Sequence, residues 1–92
     1  MLRANVTLSG RVQGVGFRYF VMETAKDMQL FGEVWNNYDG TVEIDVFCET
    51  KDILDRFLVR IKKGPALSNV NEMNIVVRPS DPPATESFTI RQ

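Results

Sequence analysis

Apolar residues recur along this chain with two different periods, which predict strands in some segments and helices in others. From residue 4 to residue 12 they occupy every second position, which is typical of a half-buried strand. From about residue 18 to residue 30 they follow helical spacing without Gly or Pro, and Gly32 stands where a left-handed helix cap is expected. The chain is therefore predicted to begin with a strand and a helix.

A hairpin and a second helix are predicted next. Residues 34–36 and 42–47 flank a polar stretch that ends in Asp39-Gly40, which is a strong signal for two antiparallel strands. Thr50 can cap the helix that follows, and Gly64-Pro65 ends it. The apolar residues of this helix form one stripe, which consists of Ile53, Leu54, Phe57, Leu58 and Ile61.

Residues 70–77 and 88–90 carry the last apolar segments and predict a fourth strand and a short final strand. The resulting order is β-α-β-β-α-β with a short extra C-terminal strand. Because crossover connections have a fixed handedness, both helices should lie on one face of the sheet. We predict an α+β fold, namely a ferredoxin-like α/β sandwich with an antiparallel sheet, formed by residues 1–92 as a single domain.

Composition and charge narrow the classes of function. Hydrophobic residues make up 43% of the chain, yet no apolar run approaches the roughly 20 residues of a transmembrane helix. The first residues alternate in polarity, unlike a secretory signal, so we expect a cytoplasmic protein without a membrane partner. The net charge of -1 mixes both signs along the chain, which argues against a nucleic-acid partner. We expect a monomer.

The chain contains no histidine and a single cysteine, Cys48. The absence of histidine excludes catalytic dyads built on His and zinc sites that contain His. Cys48 follows Val-Phe near a predicted strand end, and without a histidine base we predict a buried structural thiol. The chain thus lacks the commonest metal ligand of proteins. We expect neither a metal nor a cofactor.

Gly14 and Gly16 lie between the first predicted strand and helix, where backbone N–H groups and the helix dipole favour an anion. The spacing fits neither a Walker A loop nor a dinucleotide fingerprint, because Tyr19 occupies the third glycine position of the latter. On these features alone, a plain tight turn is the commoner explanation of such a pair. Arg18 either binds a phosphate in bidentate fashion or is an ordinary solvated arginine.

Residues 10–18, Gly-Arg-Val-Gln-Gly-Val-Gly-Phe-Arg, resemble the first signature of the acylphosphatase family at every specified position. In that family the loop between the first strand and the first helix cradles the substrate phosphate, and its last arginine binds it. The resemblance implies a catalytic and binding role for Arg18. It implies substrate-binding roles for the rest of the loop, which is Gln13, Gly14, Val15, Gly16 and Phe17.

The second family signature is met in part by residues 32–36 and by the Asp-Gly turn. Glu33 and Trp35 depart from the usual residues, and Cys48 stands where a glycine is expected. Since alternate strand residues share a face, Glu33 and Trp35 fall on the open face if Val34 faces the helices. Trp35 is then either a shielded hydrophobe or a contact residue.

Asn36 is the second catalytic candidate. On local chemistry alone, an Asn before Asp-Gly is ordinary turn material. The resemblance implies instead that Asn36 lies beside the phosphate loop and orients the attacking water, since a carboxamide accepts no proton at useful pH. Weaker matches at Gly64-Pro65 and at residues 88–91 extend the resemblance over nearly the whole chain.

The resemblance implies hydrolysis of small acyl phosphates to a carboxylate and inorganic phosphate, by in-line attack of water and without metal. Inorganic phosphate is then both product and competitive inhibitor. The alternative is a regulatory module of the same fold that binds phosphate or carbamoyl phosphate without turnover. An RNA-binding sheet of RRM type fits poorly, because the third predicted strand carries acidic residues and no basic-aromatic signature.

Overall fold

Five strands and two helices follow one another in the predicted order in the computed structural model, which describes residues 1–92. The strands are β1 Leu2–Arg11, β2 Phe31–Asn36, β3 Val42–Cys48, β4 Asn69–Pro79 and β5 Phe88–Ile90. The helices are α1 Phe17–Asp27, between β1 and β2, and α2 Lys51–Lys63, between β3 and β4. The prediction of a β-α-β-β-α-β order with a short extra strand is confirmed.

The strands form one sheet in the order β4-β1-β3-β2-β5. The four longer strands pair antiparallel, as expected for the predicted ferredoxin-like α+β fold. The short strand β5 runs parallel to β2, so the complete sheet is mixed. Because β1 and β2 are both antiparallel to β3, their C-terminal residues lie at the same end of the sheet. The loop after β1 is therefore near the last residue of β2, with β3 between the two strands.

The hydrophobic core lies between the helices and one face of the sheet. Alternate residues of β1 and β3 are buried there, which is the period-two pattern that the sequence predicts. The apolar stripe of α2 contributes Leu54, Phe57 and Ile61, and full burial of one such side chain is worth about 1.5–3 kcal/mol. The predicted cap is also present, since Thr50 Oγ1 accepts a hydrogen bond from the Ile53 N–H at 3.2 Å.

The end of α1 differs from the prediction. The helix ends at Asp27, and Gln29 takes the left-handed conformation with a φ of 59°, so the prediction that Gly32 caps the helix was wrong. Gly32 lies within β2 with a φ of 145°. A Cβ at this position would collide with the backbone oxygen of Asp45 in β3. Glycine is therefore needed at position 32 because β2 and β3 approach each other closely there.

Cys48 ends β3 on the helix-facing side of the sheet and is 1% exposed, which confirms the prediction of a buried thiol. Burial raises the pKa of the Cys48 thiol to about 11. The thiol is therefore protonated near neutral pH and is a poor nucleophile. Neither α1 nor α2 has the length and apolar character needed to cross a membrane.

Candidate active site

The loop between β1 and α1 owes its shape to two glycines in the left-handed region. Gly14 has a φ of 73°, and Gly16, at the N-cap of α1, has a φ of 77°. A Cβ would meet nothing within 4 Å at either position. Glycine is thus needed here for the backbone conformation rather than for lack of space, since L side chains are strained at such φ values.

The amide groups of this loop are free to bind an anion. Outside the helices and strands the chain forms 12 backbone hydrogen bonds, and residues 13–19 donate none of them. No side chain accepts a hydrogen bond from these amides, and no side chain caps α1. The first amide of α1 that is satisfied belongs to Phe20, which donates to the Gly16 carbonyl at 3.1 Å. Free N–H groups and the helix dipole together favour a bound anion.

A cavity of about 200 Å³ opens beside the loop. It brings Gly14, Gly16, Phe17 and Arg18 together with Asn36 at the end of β2. Its lining includes no acidic side chain, and Arg18 forms no salt bridge elsewhere in the chain. The guanidinium therefore gives the cavity a positive potential that no acidic side chain in the lining cancels.

Gln13 and Val15 do not line this cavity. The Nε2 of Gln13 donates hydrogen bonds to the carbonyl oxygens of Asn37, at 2.8 Å, and Thr41, at 2.9 Å. Val15 packs partly against the hydrophobic core. The Gln13 side chain thus joins the loop to the β2–β3 turn, and neither side chain contributes to the cavity lining.

Asn36 and Asn37 divide two roles between them. Asn37 holds the β2–β3 turn, since its Nδ2 donates to Thr41 Oγ1 at 2.9 Å and to Glu43 Oε1 at 3.0 Å. Its own N–H donates to the Thr41 carbonyl at 2.9 Å. The exposed side chain of Asn36 forms no hydrogen bond within the chain and lines the cavity. The turn-building role therefore falls on Asn37, and the carboxamide of Asn36 is free.

Glu33 and Trp35 lie on the open face of the sheet, because Val34 between them is fully buried under the helices. The Arg91 guanidinium stacks over the Trp35 ring, 3.8 Å from its centroid, and pairs with Glu33 at 3.1 Å. The indole N–H donates to Asn37 Oδ1 at 3.1 Å. Trp35 is thus a shielded hydrophobe that also supports the turn, and it is not part of the cavity.

Sequence reasoning missed four residues that line the cavity, which are Val12, Tyr19, Ile90 and Gln92. Ile90 lines the cavity because β5 runs parallel to β2, so that both strands end on the same side of the sheet as the loop. A hydrogen bond to the Glu23 carboxylate raises the pKa of Tyr19. The Tyr19 phenol therefore stays neutral near pH 7. Its position in the first turn of α1, next to Arg18, is the sequence signal that would have indicated it.

The largest cavity of the chain, about 690 Å³, lies beside the C-terminal end of α1 and the start of β5. Its charged lining residues are Lys26, Glu49 and Glu86. Two carboxylates against one ammonium group disfavour a phosphate. The smaller cavity beside Arg18 is therefore the better candidate for an anion.

The chain is similar to known proteins over most of its length. A family model described as Acylphosphatase matches residues 4–90. The acylphosphatase of Methanospirillum hungatei is 40% identical over 92 residues, which cover 100% of this chain and 99% of that protein. The acylphosphatase of Lactococcus lactis is 47% identical over 62 residues, 67% of this chain and 64% of that protein. The crystal structure of acylphosphatase from Bacillus subtilis is 36% identical, with a TM-score of 0.93 and 100% of both chains covered.

Proposed function

The chain belongs to the acylphosphatase family, and we propose that it hydrolyses the carboxyl–phosphate bond of small acyl phosphates. The products are a carboxylate and inorganic phosphate. One observation carries the proposal for the site: Arg18, without an acidic partner, shares a cavity with unused loop amides and with the free carboxamide of Asn36. Such a cavity suits a phosphoryl group on one side and a water molecule on the other.

We propose that the loop binds the phosphoryl group of the substrate. The amides of residues 13–17 would donate to its oxygens, and Arg18 would donate two parallel hydrogen bonds and offset its charge. In phosphoryl transfer the charge is spread over these oxygens in the transition state, so donors held in place also lower the barrier. The left-handed Gly14 and Gly16 maintain the backbone conformation of the loop.

Asn36 would orient the water. The water oxygen attacks phosphorus in line, the bond between phosphorus and the carboxyl oxygen breaks, and its electron pair leaves with the carboxylate. A carboxylate is a stable anion at neutral pH, so the leaving group needs no general acid. Because a carboxamide does not accept a proton, the proton of the water would pass to a phosphate oxygen.

Gln13 takes part in this proposal in two ways. Its backbone amide belongs to the phosphate-binding loop, and its side chain holds the loop against the turn that follows Asn36. We therefore assign the Gln13 side chain a positioning role. Val15 would contribute its amide, and its partly buried side chain helps to fix the loop on the core.

Metal independence is part of the proposal. The cavity lining offers no carboxylate, imidazole or thiol side chain, which are the ligands that protein metal sites use most. We further propose that residues 1–92 act as one domain and that one copy suffices for turnover, since every residue of the site comes from a single chain. A cytoplasmic location, also proposed, fits the single unpaired thiol of Cys48.

The regulatory module without turnover is not favoured. The Bacillus subtilis acylphosphatase structure covers this chain from end to end, and the curated relatives carry the name of an enzyme. Glu33 and Trp35, which depart from the usual family residues, lie on the open face outside the cavity.

Benzoyl phosphate hydrolysis tests the proposed function. We expect turnover that follows saturation kinetics, competitive inhibition by inorganic phosphate, and the same rate with and without EDTA. Saturable phosphate binding without turnover would establish the module instead. Loss of activity in EDTA, restored by a divalent cation, would contradict the metal-free mechanism.

A further inference from the structure

The edge strand β4 is the longest and most exposed strand of the sheet. It has 11 residues and pairs on one side only, with β1. Its consecutive β-branched residues Ile75, Val76 and Val77 are 41%, 60% and 44% exposed. An edge strand with a free row of backbone donors and acceptors can pair with another strand. The exposed side chains add apolar surface on both faces of this edge.

The apolar exposure of β4 lies in its later part, whereas Val70 and Met73 nearer its start pack against the core. Ile75 and Val77 stand opposite Val6 and Ala4 of β1, on the helix-facing side of the sheet. Val6 and Ala4 are completely buried, whereas their neighbours on β4 remain open to solvent. At Ile75 and Val77 the hydrophobic side of the sheet thus extends beyond the area that the rest of the chain covers.

The usual protection of an edge strand is missing from the middle of β4. Residues 70–77 contain no Lys, Arg or Pro, and the bulge opposite Ser9 and Gly10 affects only the beginning of the strand. Two charged residues, Glu72 and Arg78, flank the apolar segment, and neither forms a salt bridge within the chain. Arg78 lies directly opposite Arg3 of β1, but Asp45 of β3 pairs with Arg3, so Arg78 has no carboxylate partner.

We propose that β4 pairs antiparallel with β4 of a second copy of this chain, about a two-fold axis at Ile75. This register places Ile75 opposite itself, Met73 opposite Val77 and Asn74 opposite Val76. It also places Glu72 of each copy opposite Arg78 of the other, on the open face of both sheets. Each Arg78 thereby gains a carboxylate beside the like-charged Arg3.

The charges select this register from its neighbours. A shift of one residue in the pairing would set the helix-facing side chains of one strand against the open-face side chains of the other. The nearest registers that keep the faces aligned place Glu72 opposite Val76 or Ser80, and they lose both charge pairs. A second copy is therefore the partner that the strand fits, because the sequence from residue 72 to residue 78 is complementary to itself.

The paired dimer has a continuous sheet of ten strands and leaves both cavities open. No residue that lines the cavity beside Arg18 belongs to β4. An interface of one strand from each copy is small, so the dimer is weak and forms as concentration rises. The sequence-based expectation of a monomer then holds for dilute protein only. Turnover per chain is expected to be the same in monomer and dimer.

Sedimentation velocity with charge-reversal variants tests this interface. Over about 10 µM to 1 mM, a range suited to small transient interfaces, the wild type should shift from monomer to dimer. Glu72→Arg and Arg78→Glu each place like charges opposite each other and should weaken association at least about tenfold. An equimolar mixture of the two single variants should form a heterodimer, and the double variant should dimerise like the wild type.

Matched controls separate pairing from general charge effects and from misfolding. Glu86→Arg makes the same charge change as Glu72→Arg in the turn before β5, at the other edge of the sheet, and should dimerise like the wild type. Far-UV circular dichroism checks the folding of every variant, independently of activity. A wild type that stays monomeric over the whole range overturns the proposal. Single variants that associate like the wild type, or a mixture that forms no heterodimer, do the same.

Discussion

The two walls of the small cavity are built in opposite ways. The loop wall, residues 13–18, leaves its backbone amides and the Arg18 guanidinium without hydrogen-bond or salt-bridge partners inside the chain. In the turn wall, residues 36–43, the side chains of Asn37, Asp39, Thr41 and Glu43 are all hydrogen bonded. Asn36 is the one residue of this wall that lines the cavity, and its side chain forms no hydrogen bond. The comparison separates groups that are free for substrate from groups that hold the scaffold.

Arg18→Ala should have the largest effect on catalysis. Removal of a charge-assisted bidentate contact costs about 3 kcal/mol, so kcat/KM for benzoyl phosphate should fall about a hundredfold. Stability should change little, because Arg18 has no salt bridge to lose. Arg11→Ala is the matched control, since Arg11 is exposed, has no salt bridge and lies outside the cavity. Equal losses in the two variants would contradict the role of Arg18.

Asn36→Ala and Asn37→Ala should have effects of opposite kind. Loss of the Asn36 hydrogen bond to water should lower kcat about tenfold, or about 1.4 kcal/mol, with little change in phosphate inhibition. Asn37→Ala removes three side-chain hydrogen bonds and should lower the free energy of unfolding by about 2 kcal/mol. Urea unfolding and steady-state kinetics on both variants measure the difference. A stable, fully active Asn36→Ala would remove Asn36 from the mechanism.

Gln13→Ala tests the connection between the two walls. It deletes two hydrogen bonds to the turn and should cost about 1–2 kcal/mol of stability. We also expect a several-fold fall in kcat with a smaller change in KM, since the loop and Asn36 would lose their fixed spacing. A purely structural side chain would lower the unfolding midpoint and leave the kinetics unchanged under native conditions.

The smallest expected effect concerns Asp39 in the turn wall and the dependence of Tm on pH. Hydrogen bonds from the Thr41 hydroxyl and N–H lower the pKa of Asp39 below its ordinary 3.8. A lowered pKa stabilises the fold at pH values above the unfolded pKa, and this contribution disappears as the pH falls through the folded pKa. Tm should therefore decrease slightly less between about pH 6 and pH 3 in Asp39→Asn than in the wild type. An identical decrease would mean that Asp39 contributes nothing to the turn.

Most of the fold could be predicted from the sequence because the signals that determine the helices, strands and turns are local. Hydrophobic period, the Asp39-Gly40 turn and the Thr50 cap each act within a few residues, and together they determine the order of elements. The loop from Gly14 to Arg18 could be assigned for the same reason, since a continuous motif carries it. The family resemblance implied that Asn36 lies beside that loop, and the cavity includes both.

The features that sequence reasoning missed depend on distant partners. Gly32 is explained by the carbonyl of Asp45 across the sheet, and Arg91 covers Trp35 from the other end of the chain. The Gln13 side chain has no local signal at all, because both of its acceptors are backbone oxygens more than 20 residues away. Periodicity shows which face a residue occupies, and it does not identify the residue that stands opposite.

The buried thiol of Cys48 makes the protein its own stability probe. It is the only thiol of the chain, so a labelling reagent reacts at one site, and only in molecules that have opened around β3. When closing is faster than labelling, the ratio of the labelling rates in native and unfolded protein equals the population of the open form. Once the labelling rate of the unfolded protein is known, the free energy of opening can be measured under native conditions. The same measurement can be repeated with bound phosphate and at concentrations at which the dimer forms.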